Sequence, residues 1–114
     1  MIKEFKRNYV INQAMNAYIP EFPEDIKVRY HLIFSGRVQK VGFRLEIEKL
    51  AERLSLTGII KNLENGNVDL EIQGQKNKIL FLVNYMRKLV RIKITSIEKE
   101  EMDVIEDETE FIVA

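Results

Sequence analysis

The chain predicts an α+β fold of the ferredoxin-like βαββαβ class, an antiparallel sheet with two helices on one face, plus an N-terminal helical extension. Three observations carry that prediction. Apolar residues alternate with polar ones in several short stretches, as in strands with one wet face. Two longer stretches between them carry apolar residues at helical spacing. The order is strand, helix, strand, strand, helix, strand, with a turn signal between the middle two.

Residues 1–27 precede this pattern. Ile11, Ala14, Met15 and Tyr18 recur at i, i+3, i+4 and i+7, and Ile2, Phe5 and Tyr9 extend the stripe, so a helix is predicted. Pro20 and Pro23 end it, and Pro20 to Asp25 reads as a linker. The plainer reading is a helix docked on the domain or a mobile tail. The sharper one is a contact surface for a partner or for self-association through the extension.

Val28, Tyr30, Leu32 and Phe34 share one face of the first strand, with Arg29, His31 and Ser35 on the other. Phe43, Ile47, Leu50, Ala51 and Leu54 stripe the first helix of the domain, and Glu46, Glu48, Lys49, Glu52 and Arg53 are expected to face water. Thr57 to Asn62 is the second strand. Asn65-Gly66 predicts a type I′ hairpin turn, since both residues tolerate positive φ. Val68, Leu70 and Ile72 alternate with Asn67, Asp69, Glu71 and Gln73 in a third strand with one wet face, broken at Gly74. Ile79, Leu82, Val83, Met86 and Leu89 or Val90 stripe a second helix. Ile92, Ile94 and Ile97 mark a fourth strand, and Phe111 and Val113 a short last one.

Composition narrows the function. At 114 residues, the chain has the length of one ordinary domain. Its 18 basic and 18 acidic residues cancel, which argues against a general nucleic-acid or membrane-surface binder. The absence of cysteine excludes disulfides, thiolate catalysis and cysteine–metal sites. The one histidine, His31, lies mid-strand, where a structural role is expected. No apolar run reaches the roughly 20 residues of a membrane span. The asparagines at 8, 12 and 16 break any signal-peptide core, so a cytoplasmic protein is expected.

The stretch with chemistry in it is Gly36-Arg37-Val38-Gln39-Lys40-Val41-Gly42-Phe43-Arg44, between the first strand and the helix. The first N–H groups of a helix have no internal partner. Together with outward-turned loop amides they favour an anion. Arg44, in the first turn, adds a planar fork of donors that suits phosphate or carboxylate.

This stretch resembles the acylphosphatase signature, commonly written G-x-V-Q-G-V-x-F-R. A second piece, Gly58-Ile59-Ile60-Lys61-Asn62 followed by Glu64-Asn65-Gly66, matches where that family reads G-W-V-x-N. The resemblance covers residues 28–113 and includes the order of elements, giving an acylphosphatase-like domain over 28–114. It implies hydrolysis of acyl phosphates to a carboxylate and inorganic phosphate. No metal and no cofactor is expected, since no cluster of residues has ligand spacing. The backbone amides from Gly36 to Gly42 would hold the phosphoryl oxygens, with Arg37, Val38, Gln39, Lys40 and Val41 between. Arg44 would bind phosphate and Asn62 would orient the attacking water.

No general base stands near either motif. Acyl phosphates have a good leaving group, and phosphoryl transfer depends mainly on positioning and electrostatics. Two departures stand out. Lys40 replaces a glycine, which strains the loop wherever positive φ is required. Ile59 replaces a tryptophan. An alternative reading is a non-catalytic anion-binding or regulatory module on the same fold. An RNA-binding βαββαβ domain is disfavoured, because the third strand lacks stacking aromatics.

Overall fold

The computed structural model describes the backbone of residues 2–114 and side chains from Lys6 onward. The expected contribution of Ile2 and Phe5 to the first helix's stripe therefore lies outside the described residues. The elements are α1 (Ile2–Asn16), β1 (Lys27–Arg37), α2 (Phe43–Arg53), β2 (Thr57–Asn62), β3 (Val68–Gln75), α3 (Lys76–Arg87), β4 (Lys93–Met102) and β5 (Phe111–Val113).

The sheet order is β4-β1-β3-β2-β5. The first four strands pair antiparallel, as the pattern predicted, but β5 runs parallel to β2 and makes the sheet mixed. The helices lie on one face. The inward row of β1 (Val28, Tyr30, Leu32, Phe34) meets Val68, Leu70 and Ile72 of β3 and Ile60 of β2. From α2, Phe43, Ile47, Leu50 and Ala51 close on this row, and from α3, Ile79, Leu82 and Met86. Leu89 joins the core while Val90 is 95% exposed, which settles the pair left open after α3.

Four local expectations are corrected. Ile94 and Ile97 both lean on the core although three residues apart, because a bulge opposite Ser35 and Gly36 adds a residue to β4. Gly74 does not break β3; it pairs with Val28, and the strand continues to Gln75. The hairpin turn is not type I′, because Gly66 has positive φ (94°) and Asn65 does not. The Gly66 N–H donates to the Leu63 carbonyl at 3.2 Å, and Leu63 N–H to Asn67 at 2.9 Å, so the turn is longer and has one left-handed residue. The wet face of β3 is dry at one end: Arg29 and Gln73 are buried beneath residues 103–110. There Gln73 Nε2 donates to the Ile105 carbonyl, and Arg29 donates to Glu108 and Glu71 at 2.8 and 3.0 Å. Burial pulls the Arg29 guanidinium down, but the hydrogen bonds and charges of Glu108 and Glu71 outweigh it and the net shift is upward.

The extension is docked. Helix α1 buries Val10 and Ala14 against α2, whereas Met15 and Tyr18 of the expected stripe are exposed. Arg53 of α2 donates to the carbonyls of Ala14 and Ala17 at 2.7 and 2.8 Å. The linker is fastened as well. Phe22 meets Phe81 edge-on at 5.5 Å, and Asp25 accepts the N–H of Asn77 at 3.0 Å. That bond satisfies one of the unpaired donors at the start of α3.

Candidate active site

Strand β1 carries the glycine–arginine segment to the end of the sheet. Gly36 and Arg37, expected in the cradle, are the last two residues of β1 and pair with Ile94 and Lys93. Gly36 allows the strands to approach: a Cβ there would stand 2.1 Å from the Lys93 carbonyl oxygen. The loop between strand and helix is thus Val38 to Gly42.

Each loop residue has a distinct place. The Val38 side chain is buried, 1% exposed. Gln39 Nε2 donates to the carbonyls of Leu63 and Asn67, both at 2.8 Å, and so clamps the loop to the base of the β2–β3 hairpin. Lys40 (φ 62°) and Gly42 (φ 77°) are both left-handed. Lysine therefore occupies the conformation that glycine supplies without a Cβ penalty. Gly42 is the N-cap of α2 and has no capping side chain. Among the described residues, no protein acceptor meets the backbone N–H groups from Gln39 to Leu45. A run of unpaired donors at a helix N-terminus is the electrostatic basis of an oxyanion site.

These groups surround a cavity of about 160 Å³, bordered by the loop, by Phe43, Arg44 and Leu45 of the first turn of α2, and by Asn62 at the end of β2. The structure thus brings Arg44 and Asn62 together with Val38, Gln39, Lys40 and Gly42. Gly36, Arg37 and Val41 do not border the cavity. Arg44 Nη1 donates to the Ala114 carbonyl oxygen at 2.8 Å, and the Ala114 N–H donates to Ile60 at 2.8 Å. The guanidinium is thereby tied to the β2–β5 edge by one nitrogen. Among the described residues the Asn62 side-chain amide has no hydrogen-bond partner, and Asn62 is exposed.

Glu46 and Arg91 are the surprise of the site. Glu46 was expected on the solvated face of α2, yet it is fully buried. Its carboxylate accepts from Arg91 Nη2 and from the Tyr85 hydroxyl, the latter at 3.0 Å. Arg91 also donates to Gln13 of α1 and, from Nε, to the Val41 carbonyl at 2.6 Å. One side chain thus joins the loop, α1 and α2. Burial first, and then the Glu46 carboxylate, push the Tyr85 hydroxyl up to about 12. No local pattern marks Arg91 in the sequence, since it sits in a short turn between α3 and β4 and its partners lie 45 to 78 positions away. Among the described residues, no three His, Cys, Asp or Glu side chains gather as a metal site, and no helix is long and apolar enough to cross a membrane.

Known proteins resemble this chain in sequence and in fold. The profile of the Acylphosphatase family matches residues 30–113. An acylphosphatase of Clostridium beijerinckii is 42% identical over 87 residues, covering 75% of this chain and 97% of that protein. One from Geobacillus thermodenitrificans is 38% identical over 84 residues, 73% of this chain and 89% of that protein. Among solved structures, the acylphosphatase from Coxiella burnetii superposes with a TM-score of 0.69 at 35% identity, covering 77% of this chain and 93% of the other. That from Bacillus subtilis gives 0.70 at 30% identity, with 76% and 98% covered.

Proposed function

The chain belongs to the acylphosphatase family, and from that premise we propose that it hydrolyses acyl phosphates in the cavity between the 38–42 loop and Asn62. The observation that carries the proposal is the joint presence, around one cavity, of unpaired loop amides, a tethered arginine and an asparagine with a free amide.

The phosphoryl group takes the loop and helix amides as donors to its non-bridging oxygens. The remaining guanidinium nitrogens of Arg44 bind the same oxygens and follow their charge into the transition state. A preorganised donor of this kind contributes about 3–4 kcal/mol. Asn62 holds a water for in-line attack on phosphorus. As the new P–O bond forms, the bond from phosphorus to the acyl oxygen breaks. Its electron pair leaves with the carboxylate, and a phosphate oxygen takes the proton of the water. No protein base is needed, because a carboxylate leaves readily and the transition state is loose.

Lys40 does not abolish the loop geometry: the left-handed turn is kept with lysine in place. The direct test is turnover of benzoyl phosphate with chelator present. Release of benzoate and phosphate in equal amounts is expected. Phosphate binding without turnover would leave only a non-catalytic anion-binding module.

A further inference from the structure

Helix α1 creates a second cavity beside the first. Tyr9 and Val10 face Val41 and Leu45 across a cleft of about 600 Å³, whose exposed wall is mostly apolar although Lys6, Arg7, Lys40 and Arg91 also border it. That volume lies within the usual span of small-molecule sites. Lys40, Gly42 and Leu45 border both this cleft and the smaller cavity, whereas Asn62 borders only the smaller one. The side away from Asn62 matters for chemistry, because attacking and leaving oxygens lie roughly in line through phosphorus. With the water at Asn62, the acyl oxygen departs on the side away from Asn62.

The cleft is held in shape. Val10 is buried, and its Cγ2 comes within 2.7 Å of where a Cβ on Gly42 would stand. Arg91 ties Gln13 of α1 to the Val41 carbonyl of the loop. The wall that α1 adds has no counterpart in the Clostridium relative. The family match begins at residue 30, and 87 residues cover 97% of the Clostridium relative, which leaves that protein no room for a counterpart of α1.

We propose that the cleft between α1 and the loop receives the acyl group, and that it directs this chain to acyl phosphates with an extended apolar acyl group, alkyl or aryl. The inference rests on the hydrolysis proposed above, and its test separates the two. Acetyl, butanoyl, hexanoyl and benzoyl phosphates are compared by kcat/KM. Burial of each added methylene predicts a rise of about three- to four-fold. Tyr9 is 56% exposed, so Tyr9→Ala is expected to fold, and it should collapse the hexanoyl-to-acetyl ratio of kcat/KM. Tyr9→Phe should restore the ratio. Calorimetric binding of hexanoylphosphonate against acetylphosphonate reads the cleft without turnover, and tighter binding of the longer chain is expected, lost in Tyr9→Ala. If the phosphonates show that preference but no acyl phosphate is hydrolysed, the cleft stands as the acyl site and the hydrolytic reading falls. Efficient hydrolysis with a flat chain-length series and equal phosphonate affinities overturns the cleft and leaves hydrolysis standing.

Discussion

Arg91 Nε donates to the Val41 carbonyl at 2.6 Å, a bond between residues 50 positions apart that ties the 38–42 loop to the turn before β4. The same guanidinium neutralises the buried Glu46 carboxylate. Loop position and core charge balance are therefore one interaction.

Arg91→Met should cost about 3–5 kcal/mol, since it strands a buried carboxylate without its partner. Arg91→Met with Glu46→Gln should recover much of that loss in urea unfolding, because the stranded charge is gone. The double variant still lacks the bond to Val41, so its inhibition by inorganic phosphate should stay weaker than wild type. Full recovery of phosphate affinity in the double variant would show that Arg91 serves the core alone.

Lys40 and Ser55 are the non-glycine residues with positive φ among those described, at 62° and 57°. Ser55 ends α2 in a Schellman arrangement, with Leu56 N–H donating to Ala51 and Ser55 N–H to Glu52. Glycine relieves the Cβ clash at such positions but loosens the unfolded chain, so Lys40→Gly and Ser55→Gly should each gain about 0.5–1 kcal/mol in thermal or urea unfolding. Only Lys40→Gly should touch the site. If the lysine amine meets phosphate, inhibition by phosphate should weaken and become less salt-sensitive while turnover persists.

What was legible in the sequence was whatever repeats locally. Alternation and helical stripes located the five strands and the helices, and two short motifs located Arg44 and Asn62. What was illegible came from long-range pairing. Glu46 sits among charged residues on α2, and nothing nearby says that Arg91 and Tyr85 will enclose it. The parallel pairing of β5 and the tether from Arg44 to Ala114 depend on where the last strand lands. The bulge in β4 breaks the two-residue period on which strand reading relies. Gly36 and Arg37 look like loop because they adjoin a motif, yet their backbone completes a ladder.

Tyr85 gives the fold a pH signature. Its hydroxyl, ordinarily near 10, is pushed up to about 12 by burial and by the Glu46 carboxylate to which it donates. The folded state holds the proton more tightly than the unfolded state. The stability this contributes is complete below pH 10 and is lost as pH rises from about 10 through about 12. Tyr85→Phe should remove that part of the alkaline decline. Comparison of urea midpoints at pH 9 and pH 11 for both proteins checks this, and equal declines would refute it.

Arg44 and Asn62 can be separated kinetically, and the separation tests the mechanism most directly. In the proposed mechanism Arg44 binds the phosphoryl group in the ground state and in the transition state. Arg44→Ala should therefore weaken phosphate inhibition and lower kcat, with a combined loss in kcat/KM of at least about 100-fold. The bond from Arg44 to Ala114 lies at the protein surface, so its loss should cost little stability. In the same mechanism Asn62 touches the water rather than the phosphate. Asn62→Ala should lower kcat by a similar order yet leave competitive inhibition by phosphate nearly unchanged. Because Asn62 pairs with Val68 at the mouth of the hairpin that Gln39 grips, each variant needs a matched unfolding curve first. Near-normal turnover in Asn62→Ala would remove its water-positioning role. If hydrolysis survives both substitutions, the reaction occurs outside this cavity.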